Sequence, residues 1–245
     1  MPTSPVGAPG RLRRIRFSFE SLGWRRAAQE LVTKRRPYVP ADDQSFDQDH
    51  GTDTSGSVEP DQLGIADPGV RDEAILYLPS PLRVTRWMLD RVGVDPAATT
   101  FVDLGCGKGR VLLVAAARPF RRVVGIEISS DLAAIARRNV ERYRPPPPLA
   151  APIDVVEGDV TTADLPDGDL LIHLYHPFET AITDIVLRRL GEALQRSPRH
   201  VTIAYLSYTE AVGRVSTLLD GFDWLHLVRY EQSVRGHYNW LLYSN

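Results

Sequence analysis

Cysteine is almost missing from this chain, with Cys106 alone in 245 residues. An internal disulfide and a multi-cysteine zinc site are thereby excluded, no metal centre is expected, and the composition fits a reducing, cytoplasmic setting. Long apolar runs are missing too. The longest purely apolar stretch, Val111 to Ala117, falls far short of the roughly 20 residues that span a bilayer, so no membrane span is expected. Arg13-Arg14 is followed by Phe17-Ser18-Phe19-Glu20-Ser21, which does not open the apolar region of an export signal. Lysine is absent after Lys108, so Tyr175, Tyr205 and Tyr208 each lack a lysine four residues on. That removes the Tyr-x-x-x-Lys pair of a short-chain dehydrogenase.

What is present is ordinary for a globular protein in bulk, with 43% hydrophobic and 24% charged residues, and uneven in its distribution. The net charge of −2 hides an asymmetry. Arg11, Arg13, Arg14, Arg16, Arg25, Arg26, Lys34, Arg35 and Arg36 crowd the first segment, and Asp42, Asp43, Asp47, Asp49, Asp53, Glu59 and Asp61 crowd the next. Within residues 1–40, Leu12, Ile15, Phe19 and Leu22, then Trp24, Ala28 and Leu31, recur at helical spacing and stop before Pro37, which predicts a basic amphipathic helix. It either packs on the rest of the chain or meets an acidic partner, RNA or a membrane surface. Residues 41–75 read as an acidic polar loop. Phe46-Asp47 and Gly51-Thr52-Asp53-Thr54-Ser55-Gly56 supply the small donors and glycines of an ordered lid, against the plainer reading of a surface loop.

The most informative stretch begins at Phe101-Val102-Asp103-Leu104-Gly105-Cys106-Gly107-Lys108-Gly109-Arg110 and runs through a helical segment into Arg122-Val123-Val124-Gly125-Ile126-Glu127. It reads as strand, glycine loop, helix, strand and acid. Glycines let the backbone turn sharply and approach a ligand closely. Glu127, eighteen residues past Gly109, lies where such folds hold a ribose through its two hydroxyls, so a nucleoside-containing cofactor is expected. A dinucleotide fingerprint would need a third glycine at position 110, which is Arg110. Cys106, inside the loop, reads as a small spacer rather than a nucleophile.

Asp-x-Gly-x-Gly-x-Gly resembles motif I of the class I S-adenosylmethionine (SAM)-dependent methyltransferases, which have this acid and this tighter glycine spacing. The resemblance implies a Rossmann-like α/β fold with a doubly wound, mostly parallel seven-stranded sheet over residues 76–245. It also implies SAM as cofactor, with Tyr77, Asp103, Leu104, Gly105, Cys106, Gly107, Gly109, Glu127, Ile128, Asp159 and Val160 as the residues around it. Tyr77, in the turn Tyr77-Leu78-Pro79-Ser80-Pro81, either faces the methionine carboxylate or belongs to the core. Asp159, after Gly158, either accepts the adenine amino group or caps a turn.

Beyond Glu127 the pattern keeps alternating, as a parallel sheet requires. Ser130 or Asp131 is expected to cap a helix carrying Leu132, Ile135, Ala136, Val140 and Tyr143. Strands are expected at Ile153–Glu157, Asp169–Tyr175 and His200–Tyr205, helices around Ile182–Ala193 and Glu210–Leu219, and an antiparallel hairpin from Trp224–Tyr230 and His237–Tyr243.

The strand ending at Tyr175 leads into His176-Pro177-Phe178, and ligands bind outside the carboxyl ends of such strands. In amine-methylating members of the family the equivalent turn is Asn-Pro-Pro-aromatic or Asn-Pro-Phe. Pro177 and Phe178 match, and His176 replaces the Asn. Tyr175, His176, Pro177 and Phe178 are therefore the candidate reaction centre, with His176 either catalytic or structural; His173, inside the strand, is expected to be buried and satisfied. The Gly-Lys-Gly-Arg ending and the aromatic turn look like small bacterial relatives of the Dot1-like protein lysine methyltransferases. The methyl acceptor, a protein or a small molecule, is not read from the residues. A catalytically silent SAM-binding or RNA-binding module is the alternative reading.

Overall fold

The computed structural model describes residues 41–65, 75–145, 147, 150–178, 180–208, 211–232 and 238–245, all within the compact unit Pro40–Asn245. The basic amphipathic helix expected in residues 1–40 lies outside the described residues.

Strands β1 (Thr99–Leu104), β2 (Arg122–Glu127), β3 (Ile153–Glu157), β4 (Asp169–Tyr175), β5 (Val201–Tyr208), β6 (His226–Gln232) and β7 (Tyr238–Ser244) form one sheet in the order β3-β2-β1-β4-β5-β7-β6. The pairs among β1 to β5 are parallel. Strand β7 runs antiparallel between β5 and β6. Helices α1 (Ala41–His50), α2 (Leu82–Leu89), α3 (Arg110–Ala116), α4 (Ser130–Arg142), α5 (Thr180–Arg196) and α6 (Val212–Leu219) surround or connect the strands. This is the α/β architecture expected from the sequence, with both expected hairpin strands displaced slightly along the chain.

Side chains alternate across a strand with a period of two, and here both faces are covered by apolar partners. Phe101, Leu171, Leu206, Trp240 and Leu242 point to the face packed by α2 and α3. Their neighbours Val102, Ile172, Tyr205, Leu241 and Tyr243 point to the opposite face, under α5 and α6. Each such Leu, Ile or Phe contributes on the order of 1.5–3 kcal/mol by leaving water. Strand β1 is buried at every position. Strand β6, at the edge, leaves Leu227, Val228 and Tyr230 exposed.

Two local expectations are corrected. Ala41–His50 is helical, where composition suggested loop, because Phe46 is buried and stacks with Tyr143 at 5.9 Å between ring centroids. Tertiary packing overrides the low helix preference of its Asp-rich neighbours. The cap of α4 is Ser129, one residue before the expected Ser130 or Asp131. Its extended backbone aims Oγ at the Leu132 amide, 3.2 Å away.

The chain reverses its winding at β1, which has β2 on one side and β4 on the other. Ligand crevices form at the carboxyl ends of strands at such a switch point. The loops following β1, β2, β3 and β4 meet there.

Candidate functional site

The glycine loop begins where β1 ends. Leu104 is buried in the core below it, while the amides of Gly105 and Cys106 both reach the Ile126 carbonyl, at 2.9 and 3.1 Å. Gly107 has φ +54°, and a β-carbon on it would lie 2.2 Å from the ring of Tyr77. Gly105 has φ +76°, and a β-carbon there would lie 2.7 Å from Cβ of Pro177. Each thus meets both conditions for glycine: left-handed backbone and no space for a side chain. Gly109 caps α3, also with left-handed backbone.

Glu127 closes the loop from the neighbouring strand. Its Oε2 accepts the Gly107 amide at 2.7 Å and its Oε1 accepts the Ser129 amide at 2.9 Å. Burial pushes its carboxyl above the usual range, against the pull of those two amides, and the nearby Asp103 charge adds to the rise. A carboxylate offers about four lone-pair positions, so two such bonds leave acceptor capacity for a vicinal diol. Ile128 is half-buried between Glu127 and Ser129. The Glu127 carbonyl accepts the Gly158 amide at 2.9 Å, which brings the Asp159 turn alongside. Asp159 Oδ1 accepts from the Thr161 amide at 2.8 Å, so the carboxylate caps a turn. Val160 follows, half-buried against the core under α5.

Asp103 is buried beneath the loop, where His173 Nδ1 lies 2.6 Å from its Oδ1. His173 is fully buried as expected, but only half satisfied: its Nε2 has no hydrogen-bond partner among the described residues. Burial, reinforced by the charges of Glu127 and Asp103, holds the Cys106 thiol well above its ordinary pKa, which suits a spacer and not a nucleophile. Tyr77 donates to the Thr54 carbonyl at 3.1 Å, and its backbone pairs with Val58. Burial raises its phenol far above the ordinary value.

Across the switch point, β4 delivers Tyr175 and the His176-Pro177-Phe178 turn. His176 has φ +39°, the one non-glycine residue with positive φ among those described. Asn, Asp and His are the side chains enriched in this left-handed region. The backbone thus accepts either the family's Asn or the His found here. His176 Nδ1 lies 3.3 Å from the Tyr205 hydroxyl. The hydroxyls of Tyr175 and Tyr208 lie 2.7 Å apart, and Tyr238 completes an aromatic group with them. Burial raises the Tyr175 phenol. Phe178 is half-buried against the core under α5.

Asp47 and Asp53, from the segment read in the sequence as an ordered lid or a surface loop, form a polar network over the glycine loop with Lys108, Arg110 and Asn139, and of these Asn139 gave little signal in the sequence. Asn139 lies on the buried face of α4, and its helical spacing with Leu132 and Ala136 was the available clue. Arg110, only 2% exposed, gives Nε to Thr54 Oγ1 and Nη2 to Ser55 Oγ, each at 2.8 Å. A guanidinium so desolvated needs such partners.

Together these elements define a seven-stranded α/β domain in which a glycine loop and a buried acid meet at the switch point of the sheet. Residues 101–197 match the family model described as a methyltransferase domain. The centre of the chain is thus similar to a methyltransferase domain. A protein-lysine N-methyltransferase of Saccharolobus islandicus (strain REY15A) is 27% identical over 121 residues, 49% of this chain and 65% of that protein. A trans-aconitate 2-methyltransferase of Azoarcus sp. (strain BH72) is 36% identical over 101 residues, 37% of this chain and 38% of that protein. An uncharacterized 37.1 kDa protein in transposon TN4556 of Streptomyces fradiae is 34% identical over 110 residues, 44% of this chain and 27% of that protein. The chain thus spans less than two thirds of the length of these curated relatives. The fold is similar to that of a SAM-dependent methyltransferase from Aquifex aeolicus, with TM-score 0.51 at 15% identity over 76% of this chain and 98% of that one.

Proposed function

We propose that this protein transfers a methyl group from SAM to an amine nucleophile, with protein lysine as the favoured acceptor. The observation that carries the reading is the contact of Pro177 with Gly105, which sets the Tyr175–Phe178 turn directly against the glycine loop. A group held by the turn then lies beside a cofactor held by the loop. Positioning of this kind removes much of the entropic barrier to a bimolecular transfer.

When bound, SAM supplies a sulfonium-activated methyl group open to SN2 attack. Glu127 would hold the ribose hydroxyls, Asp159 the adenine amino group, and Tyr77 with the backbone from Asp103 to Gly109 the methionine part. His176 accepts a hydrogen bond from the attacking amine or takes its proton. Lysine, with an ordinary pKa of about 10.4, must lose a proton before its lone pair is available. An imidazole acceptor at the turn stabilises the neutral amine. The lysine acceptor is supported by the name of the Saccharolobus relative and by the likeness of the Gly-Lys-Gly-Arg loop and aromatic turn to the Dot1-like enzymes.

Incubation of the protein with cell lysate and methyl-labelled SAM, followed by identification of the labelled molecule, tests this. Label on lysine side chains of a protein is the expected result. Cofactor binding without any transfer would favour a catalytically silent binding module, and label on RNA would reassign the acceptor.

A further inference from the structure

The glycine loop does not hold its shape alone. Asp47, near the end of α1, gathers the residues that follow it into a knot. Its carboxylate accepts the hydroxyls of Thr52 and Thr54, each at 2.7 Å, and the amides of Thr54 and Ser55, at 2.9 and 2.7 Å. Charged acceptors make the stronger hydrogen bonds, and four donors converging on one carboxylate fix the path of residues 52–55.

The outer side of that knot is what the glycine loop touches. Lys108 Nζ pairs with Asp53 Oδ1 at 2.8 Å and donates to the Ser55 carbonyl at 2.9 Å. Arg110 binds the Thr54 and Ser55 hydroxyls. Asn139 exchanges hydrogen bonds with the Asp53 backbone, both at 2.8 Å, and gives its remaining amide proton to the Lys108 carbonyl at 2.9 Å. The Thr54 carbonyl receives the Tyr77 hydroxyl, and the Tyr77 ring fills the space over Gly107. Lys108, Arg110 and the ring that presses on the loop are therefore oriented by three consecutive residues, Asp53 to Ser55, organised around one carboxylate. A buried cation without partners is strongly disfavoured. If the knot loosens, Lys108 and Arg110 turn toward water and the loop follows.

We propose that Asp47 is a positioning residue for the cofactor site. By knotting residues 52–55 it holds Tyr77, Lys108 and Arg110, and through them keeps Gly105–Gly109 in the conformation that receives SAM. The inference rests on the reading of this site as a SAM site. Asp47 acts through other residues rather than on the reacting atoms, so its loss should appear in cofactor affinity and apparent KM, with turnover at saturating SAM nearly intact.

The test is calorimetric titration of SAM into the full chain as wild type, Asp47→Ala, Asp47→Asn and Thr54→Val, with hydrogen–deuterium exchange of the Gly107 and Gly109 amides in the free proteins. Folded Asp47 variants should bind SAM at least tenfold more weakly and exchange these two amides at least tenfold faster. Thr54→Val, which removes one donor and the Arg110 contact, should give a smaller change in the same direction. In an Arg110→Met background the Asp47→Ala loss should shrink, since the two act through one connection. Wild-type affinity and exchange in a folded Asp47→Ala protein would overturn the proposal, as would unfolding of all three variants, which would make Asp47 a folding residue. Failure of the wild type to bind SAM would instead refute the functional reading, and the exchange rates would still decide whether Asp47 sets the loop.

Discussion

Glu127 and Gly107 hold each other across the loop, the Gly107 amide donating to Glu127 Oε2 at 2.7 Å from the next strand. The bond links the two sequence features that first suggested a nucleoside site, and leaves the carboxylate with room for further donors. Charge-assisted hydrogen bonds are worth roughly 1.5–3 kcal/mol each. Glu127→Ala is expected to weaken SAM binding at least tenfold by calorimetry on the folded variant. NADH is expected not to bind measurably, because buried Arg110 stands where a dinucleotide fold has its third glycine. Unchanged SAM affinity would place the ribose elsewhere.

Gly107→Ala joins two penalties, a left-handed backbone and overlap with the Tyr77 ring. Gly158, with no heavy atom within 4 Å of its added β-carbon, provides the control. The expected cost for Gly107→Ala is at least ~1–3 kcal/mol of stability, with loss of SAM binding, against a few tenths for Gly158→Ala. Chemical denaturation of the two variants side by side checks this. Equal midpoints would mean that Tyr77 moves aside freely.

For His176 the decisive readout is the pH profile. If its imidazole accepts from the amine or takes its proton, turnover falls where acid protonates the imidazole. His176→Asn keeps an acceptor and suits the left-handed backbone, so it should retain substantial activity and lose that acid limb. His176→Ala should lose roughly 10²- to 10⁴-fold in turnover if general base catalysis operates, with SAM affinity unchanged. Wild-type turnover and profile in the alanine variant would assign His176 a structural role, leaving Tyr175 and the Thr52–Thr54 segment as the candidates for holding the acceptor.

Asp47 makes stability depend on acid. Burial pulls its carboxyl upward, but hydrogen bonds from Ser55, Thr54 and Thr52 outweigh it and hold the pKa below the ordinary 3.8. A carboxyl with a depressed folded pKa stabilises the fold above the unfolded value and loses that contribution as pH falls through the folded one. The denaturation midpoint of wild type should exceed that of Asp47→Asn near neutrality, and the gap should close below about pH 3.8. A gap constant with pH would show that the carboxylate charge is not what the knot uses.

Removal of residues 1–36 should leave SAM affinity within a few fold, because every contact named at the site comes from residue 46 or later. Activity on the natural acceptor is the quantity expected to drop if the basic segment recruits it. Aggregation of the truncated protein would instead show that its apolar stripe serves the fold.

Strand–loop–helix logic was legible wherever one residue type answered a local requirement. Asp169–Tyr175 and Ile153–Glu157 were bounded correctly, the first as an apolar run buried along the middle of the sheet and the second as a short β-branched segment closed by the Gly158-Asp159 turn. Glu127 and the glycines were legible because backbone approach to a ligand leaves few chemical choices. The helix at Ala41–His50 was not, because Phe46 and His50 hold it through ring contacts with Tyr143, nearly a hundred residues away.

The sequence by itself determined the class of fold and the cofactor, because each depends on spacing within a short segment, and it proposed the turn at Tyr175–Phe178 as the reaction centre. Tertiary structure decided what those segments do to each other. It set Pro177 on Gly105 and Tyr77 on Gly107, paired His173 with Asp103, and tied Lys108 and Arg110 to a knot around Asp47. Such pairings depend on the order of strands in the sheet and on which buried charge finds which partner. Both are settled by packing and desolvation across the whole domain, which no local pattern encodes.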